Sequence, residues 1–433
     1  MAFNKSIAEE LRERLPSHID VNTFHSKGLR VLLSNFRIKP KINENKCFVI
    51  GKKILDTKDM DVKQQIRYLF EIQIIWNYIR VNLITDYEKE IPGICIEKNI
   101  EFQERMVGDM EQIRNAWHKE MKKINSVKEI NIDFTDMLYF PYQLLDSEDF
   151  PKYDIVTLDE QQDANILQKE LALRYIKKSG RFVVVGDSRQ CIYGFQGSSL
   201  EVFKSLQSYP NTIVLPLDIT YRCGKNIVEE ARKVFNNGIV AAPNAIDGIV
   251  RKGEFDEAEN GDFILCRNNL PLATVFLYLL EMGKKATIKG KEYGDALVAL
   301  VDKIKYIEDL DAMCEKKISE LKERGLTDIQ AKNNPSYVAF LEKCTILKIL
   351  YKNWGDMKKL EDNIKEIYKD DTEGIVLSTI HKSKGLEADR VFLLNKSLIP
   401  SKYANTEEAL YNEKCLLFVA ITRARKELVY CNV

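Results

Sequence analysis

The chain has 433 residues, 45% of them hydrophobic, enough to bury more than one core. Its 65 Lys and Arg balance its 65 Asp and Glu, so no overall basic excess advertises nucleic acid, and any such binding rests on local patches. The nine cysteines are scattered without a CxxC pair, which argues against a disulfide framework, a zinc ribbon or an iron–sulfur cluster; no apolar run reaches the length of a membrane span, and MAFNKSIAEELRERLP lacks the apolar core of a signal peptide. A reducing cytoplasm is the expected location, with no membrane partner.

Met1-Ala2-Phe3 reads as the tail of a strand, followed by an amphipathic helix with Ile7, Ala8 and Leu11 on one side, ended by Pro16. Val21 to Ser26 reads as a strand-to-loop transition before a short helix bearing Leu29, Leu32 and Leu33. From about Gly51 to Ser126 the chain turns to charged helices, one carrying Ile66, Leu69, Phe70, Ile74 and Tyr78, another Met110, Ile113, Trp117 and Met121. Alternation of strand and helix resumes at Ile132-Asp133-Phe134-Thr135-Asp136. Two apolar runs then end in acidic residues: Ile155 to Leu158 into Asp159-Glu160, and Phe182 to Val185 into Gly186-Asp187. Such runs read as buried parallel strands. Ile166, Leu167, Leu171, Tyr175 and Ile176 between them fall near helical spacing, with Lys177-Lys178 and Gly180 as the stop.

Thr212 to Pro216 reads as a further strand, and a helix with Ile227, Ala231, Val234 and Phe235 follows. Asp262 to Arg267 is another strand backed by a helix over Leu272 to Leu280. Residues 290–371 are again helical and charged. The last stretch returns to strand Gly374 to Thr379, loop His381 to Gly385, strand Arg390 to Leu394, a helix through Leu416-Leu417-Phe418, and a closing strand Glu427 to Tyr430. Carboxylates at the carboxyl ends of parallel strands lie where open α/β sheets bind ligands. A nucleotide with a divalent metal is the first ligand to consider there, Asp159 serving the metal and Glu160 orienting water. Taken alone, an Asp-Glu pair at a strand end reads more readily as the acidic cap of a helix.

The neighbours decide between these readings. DEQQDAN resembles the DExQD motif of the UvrD/Rep group of superfamily 1 DNA helicases, and VVGDSRQCIYGFQGSS resembles its GDxxQxIYxFRGA motif. In the same order along nearly the whole chain, AFNKSIAEEL and NTFHS resemble its first two DNA-contacting motifs and IDFTDML the segment before the Walker B strand. ITYRCGKNI resembles its YRS motif, LCRNN the opening of its second insertion, STIHKSKGLEADRVFLL its TxHxxKGLE motif and FVAITRARKEL its VxxTRA motif.

The resemblance implies an α/β fold of two RecA-like P-loop NTPase-type domains with parallel sheets, each interrupted by a mainly helical insertion, with ATP between the domains. The first domain takes residues 1–50 and 131–210 around an insertion at 51–130; the second takes 211–288 and 372–433 around one at 289–371. It implies ATP and Mg2+ as cofactors, and as partners single-stranded DNA and duplex junctions, with 3′ to 5′ movement. Position by position, Asp159 serves magnesium, Glu160 activates water, Gln190 couples the γ-phosphate to DNA, and Arg222 and Arg423 reach the γ-phosphate, a task that suits an always-ionised guanidinium. Glu387 contacts ribose and Gly385 lets backbone approach the ligand. Phe3, Asn4, Thr23, His25, Tyr193, Phe195 and His381 contact single-stranded DNA, where aromatic faces stack without reading sequence. For the arginines the bland reading is a salt bridge, and for Tyr193 and Phe195 core packing.

Two departures stand out. Gln196 replaces the family's usual arginine, and Ser188-Arg189 a commonly acidic pair. The larger one is an absence: no GxxxxGKS or GxxxxGKT loop, which cradles phosphates, occurs anywhere in the sequence. In the family that loop precedes the segment that AFNKS resembles. The expectation is therefore a helicase whose P-loop lies outside this sequence, on upstream chain or on a separate polypeptide; the competing class is an ATPase-inactive DNA-binding or scaffold subunit. Neighbouring strands are expected to show unpaired edges and uncovered apolar faces.

Overall fold

The computed structural model describes residues 5–98, 100–192, 200–236, 238–323, 326–369 and 374–433. The chain divides into two units, Met1–Val214 and Leu215–Val433. Among the described residues no helix is long and apolar enough to cross a membrane. All nine cysteines are buried and free.

The first unit opens with α1 (Lys5–Arg14), which stops before Pro16, and α2 (Phe24–Asn35). The expected strand-to-loop transition at Val21 to Ser26 is shorter than its sequence suggests: Thr23 is an extended single-bridge residue that caps α2, its hydroxyl accepting the Ser26 N–H at 3.2 Å, so the helix starts at Phe24. Next come β1 (Lys39–Ile42), α3 (Lys46–Ile54), α4 (Val62–Asn82), α5 (Tyr87–Glu97), α6 (Arg105–Lys122), β2 (Glu129–Ile132) and α7 (Asp136–Leu144). β1 and β2 pair in parallel. On α6 the expected stripe of Met110, Ile113, Trp117 and Met121 is buried. On α4 the stripe is different: Ile66, Phe70 and Ile74 are exposed, and Tyr68, Leu69, Ile72, Ile75, Trp76 and Ile79 face the core. α4 carries apolar residues on most sides, so periodicity alone does not select its inner face.

That face is set by a buried charge cluster. Arg80 on α4 donates to both carboxylate oxygens of Asp133 and to Asp136, and Lys46 on α3 donates to Asp136 at 2.6 Å. The indole N–H of Trp117 on α6 gives Asp136 a third donor at 2.8 Å. Lys46 also lies over the rings of Trp117 and Phe140. Three helices are thereby tied to the turn between β2 and α7.

β3 (Tyr153–Leu158), α8 (Ile166–Arg174), β4 (Ile176–Val184) and α9 (Leu200–Gln207) complete the unit. Lys177, Lys178 and Gly180 do not stop a helix. α8 ends at Arg174, and these residues form a bulge in β4, because Tyr153 pairs with Ile176 while Ile155 pairs with Arg181. A Cβ on Gly180 would meet the Ile176 side chain at 2.7 Å, which is why a glycine stands there. β3 and β4 form a two-stranded parallel sheet among the described residues, and Ile155, Val183 and Val185 are exposed on one face.

The second unit holds β5 (Ile219–Thr220), α10 (Lys225–Arg232), β6 (Val240–Ala241), β7 (Ile249–Lys252), β8 (Phe263–Cys266), α11 (Asn269–Glu281) and β9 (Ala286–Lys289). There follow α12 (Lys291–Val301), α13 (Asp309–Lys322), α14 (Asp328–Lys332), α15 (Pro335–Trp354), α16 (Met357–Ile367), β10 (Tyr368–Lys369), β11 (Ile375–Thr379), β12 (Ala388–Leu394), α17 (Glu407–Ile421) and β13 (Ala424–Cys431). Seven strands pair in parallel in the order β10-β9-β11-β8-β12-β13-β7. The central strands β8 and β11 are buried at every position, as parallel strands covered on both faces are. No strand forms over Thr212 to Pro216. The apolar alternation is there, but pairing begins only at Ile219, with β6.

Candidate nucleotide and DNA site

In the first unit the pairing of β3 with β4 continues past the strand ends: Val185 N–H donates to Leu158 and Gln161 N–H to Val185. This brings Asp159 and Glu160 beside Gly186 and Asp187. Glu160 has φ 51°, a left-handed conformation that a non-glycine residue adopts at a cost of about 1–3 kcal/mol, and its N–H donates to the Asp159 carboxylate at 3.0 Å. The fully buried Gln162 joins the two strand ends. Its amide N–H donates to the Glu160 carboxylate, and its carbonyl accepts the Asp187 N–H at 3.0 Å. A Cβ on Gly186 would stand 2.7 Å from that carbonyl oxygen. Asp187 in turn accepts from Gln190 at 3.2 Å and from Arg189 at 2.8 Å. Glu160, Gln162, Asp187 and Gln190 thus form one linked chain.

Asp159 fits a magnesium ion of the kind held by one or two carboxylates together with nucleotide phosphates and water.

Of the expected DNA contacts, Phe3, Asn4, Tyr193 and Phe195 lie outside the described residues. Thr23 is engaged as the cap of α2. His25, on the first turn of α2, meets Phe134 edge to face at 6.3 Å, and burial lowers its pKa, leaving it a neutral imidazole. Phe134 is 51% exposed on the turn that the Asp136 cluster fixes. The sequence reading passed over this aromatic residue. The available signal was a phenylalanine set between two carboxylates of a turn, where core packing offers no reason for one.

In the second unit, Tyr221, Arg222, Gly224, Asp389, Arg425 and Lys426 line an open cleft of about 440 Å³. Gly224 approaches Gly248 so closely that a Cβ would stand 2.8 Å from its Cα. Arg222 pairs with Glu387 at 2.5 Å, so these two expected nucleotide contacts meet. Gly385 has φ +83° and open space around its missing Cβ, the geometry that lets backbone reach a ligand. Tyr221, 80% exposed at the cleft, is a second aromatic residue that the sequence reading left without a role.

Arg423 is placed differently. It is 1% exposed, and its guanidinium donates to the carbonyls of Val419 and Leu386 and to the Thr422 hydroxyl, so it holds the loop that carries Gly385 and Glu387. His381 is largely inside as well. Burial, reinforced by Arg267, pushes its pKa down to about 4, while Arg267 itself pairs with Glu413 at 2.8 Å.

Comparison with known proteins identifies the family. Residues 1–210 match the UvrD/REP helicase N-terminal domain and residues 276–432 the UvrD-like helicase C-terminal domain. The chain is 21% identical over 580 residues to the ATP-dependent DNA helicase Rep of Buchnera aphidicola (subsp. Acyrthosiphon pisum), covering 100% of this chain and 87% of that protein. It is 27% identical to the F-box DNA helicase protein 1 of Schizosaccharomyces pombe, over 69% of this chain and 37% of that one. With the ATP-dependent DNA helicase PcrA of Bacillus subtilis it shares 27% identity over 55% of this chain and 33% of the relative. With two domain families matched in order over most of its length, the chain belongs to the UvrD/Rep family of superfamily 1 DNA helicases.

Proposed function

We propose that this protein couples ATP hydrolysis to 3′ to 5′ movement along single-stranded DNA, opening duplex junctions. The observation that carries the reading is the linked chain from Glu160 through Gln162 and Asp187 to Gln190, which ties a water-activating carboxylate to a residue able to sense the γ-phosphate. Asp159 would hold magnesium, which would neutralise phosphate charge. Gln162 fixes the Glu160 carboxylate so that it can orient water for in-line attack. Arg222 supplies positive charge to the γ-phosphate, with Glu387 and Gly385 at the sugar. Arg423 carries its phosphate role from the resemblance alone, since its guanidinium is turned inward. Tyr221 offers a face for the base. His25 and Phe134 contact DNA, joined by Thr23 and His381 and, outside the described residues, Phe3, Asn4, Tyr193 and Phe195. Stacking and neutral donors bind strands without reading their sequence.

We further infer that the phosphate-cradling loop comes from polypeptide outside this sequence. The exposed face of β3–β4 supports this, since parallel sheets are normally covered on both sides. The missing GxxxxGK motif also favours a second reading, an ATPase-inactive DNA-binding or scaffold subunit. ATP turnover by the purified 433-residue chain with single-stranded DNA tests the premise common to both readings, that this sequence carries no phosphate cradle of its own. No DNA-stimulated turnover is expected; turnover that Glu160→Gln abolishes would overturn the external-loop reading.

A further inference from the structure

Among the described residues, Glu387 is the one carboxylate that faces two arginines of the second unit's cleft. One of its oxygens takes the Arg222 Nε at 2.5 Å and the other the Arg425 guanidinium at 3.4 Å. Arg425 has a stronger partner in Asp389 at 2.7 Å, which also takes Lys426 at 2.8 Å. Arg222 has no second carboxylate among the described residues. A carboxylate assigned to a sugar hydroxyl therefore already holds the guanidinium assigned to a phosphate.

The two tasks draw on the same carboxylate. We propose that Glu387 is an exchange latch: without nucleotide it stores Arg222, and a ribose hydroxyl donating to it displaces the guanidinium and releases Arg222 toward phosphate. The proposal rests on the reading that this cleft takes a nucleoside triphosphate. Arg425, kept in place by Asp389, stays beside Glu387 through the exchange and preserves its charge. Sugar recognition and delivery of Arg222 are then one event. Inorganic triphosphate, lacking a sugar, must break the pair unaided.

Arg222 and Glu387 are each 37% exposed, so the pair has the strength of a surface ion pair and the latch is modest. Opening it corresponds to about a two- to fivefold change in affinity. The test is calorimetric binding of inorganic tripolyphosphate to the full chain as wild type, Glu387→Gln, Arg222→Ala and the double variant. All are surface changes that leave the core alone. Glu387→Gln is expected to tighten binding about two- to fivefold, and the gain is expected to vanish when Arg222 is already alanine. No tightening, or the same tightening without Arg222, overturns the latch, because the second result is only the removal of a repelling charge. If Arg222→Ala binds as tightly as wild type, the phosphate role of Arg222 falls and the latch with it. If Arg222→Ala binds more weakly while Glu387→Gln is unchanged, the site reading stands and the latch alone is refuted.

Discussion

Replacing Asp136 with alanine is expected to unlock the helices of the first unit. The carboxylate is fully buried and accepts from Lys46 at 2.6 Å, Arg80 at 2.8 Å and Trp117 at 2.8 Å. Without it Arg80 retains Asp133, but Lys46, itself 2% exposed, keeps only Glu120 at 4.0 Å. Stranding one member of a buried ion pair costs about 3–5 kcal/mol. Against a typical total of about 5–15 kcal/mol, that is a large share of the unit's stability. Urea unfolding followed by tryptophan fluorescence reads it directly, because two of the chain's three tryptophans, Trp76 and Trp117, stand 5.6 Å apart in this cluster. Lys46→Met supplies the contrast. It removes a charge, leaves the Arg80–Asp136 pair and keeps apolar contact with Trp117 and Phe140, so it should cost less than Asp136→Ala. A loss under about 1 kcal/mol for Asp136→Ala, the size seen for exposed pairs, would refute the reasoning.

Two further outcomes are expected. Phe134→Ala should weaken binding of an oligothymidylate by about tenfold, within the range for one stacked base, without changing the salt dependence, since no charge is lost; equal affinity in a fluorescence polarisation assay would remove Phe134 from the interface. For His381 the pH dependence follows from burial. With its pKa at about 4 when folded against 6.5 when free, the unfolded chain binds the extra proton between those values, so stability falls as pH drops from 6.5 toward 4. The loss amounts to about 3 kcal/mol. His381→Gln should flatten that slope in urea titrations, and parallel wild-type and variant curves would count against it.

The corner that brings Asp159 and Glu160 beside Gly186 and Asp187 was legible as two apolar runs that each end in acidic residues, which pair in parallel as β3 and β4. β8, β11 and β12 were legible for a different reason: strands covered on both faces leave unbroken apolar runs. The failures have physical causes too. α4 is apolar on most of its surface, so Trp117 and Asp136, 37 and 56 residues beyond Arg80, decide which side turns inward. Lys177, Lys178 and Gly180 match a helix ending, yet the pairing of Tyr153 with Ile176 makes them a bulge. The apolar alternation after Thr212 has the period of a strand but finds no partner before Ile219. Arg423 matches its motif fully, while the direction of its guanidinium depends on carbonyls at Val419 and Leu386 that no motif specifies.

The buried cysteines make the molecule a clean platform for reporters. Burial pushes the thiols of Cys47, Cys344 and Cys431 up to about 12 and those of Cys223 and Cys266 to about 11, so at neutral pH few thiolates exist to react with a maleimide. One new cysteine on an exposed position such as Ser208 would therefore take a dye almost alone, and the wild-type background would not need to be rebuilt.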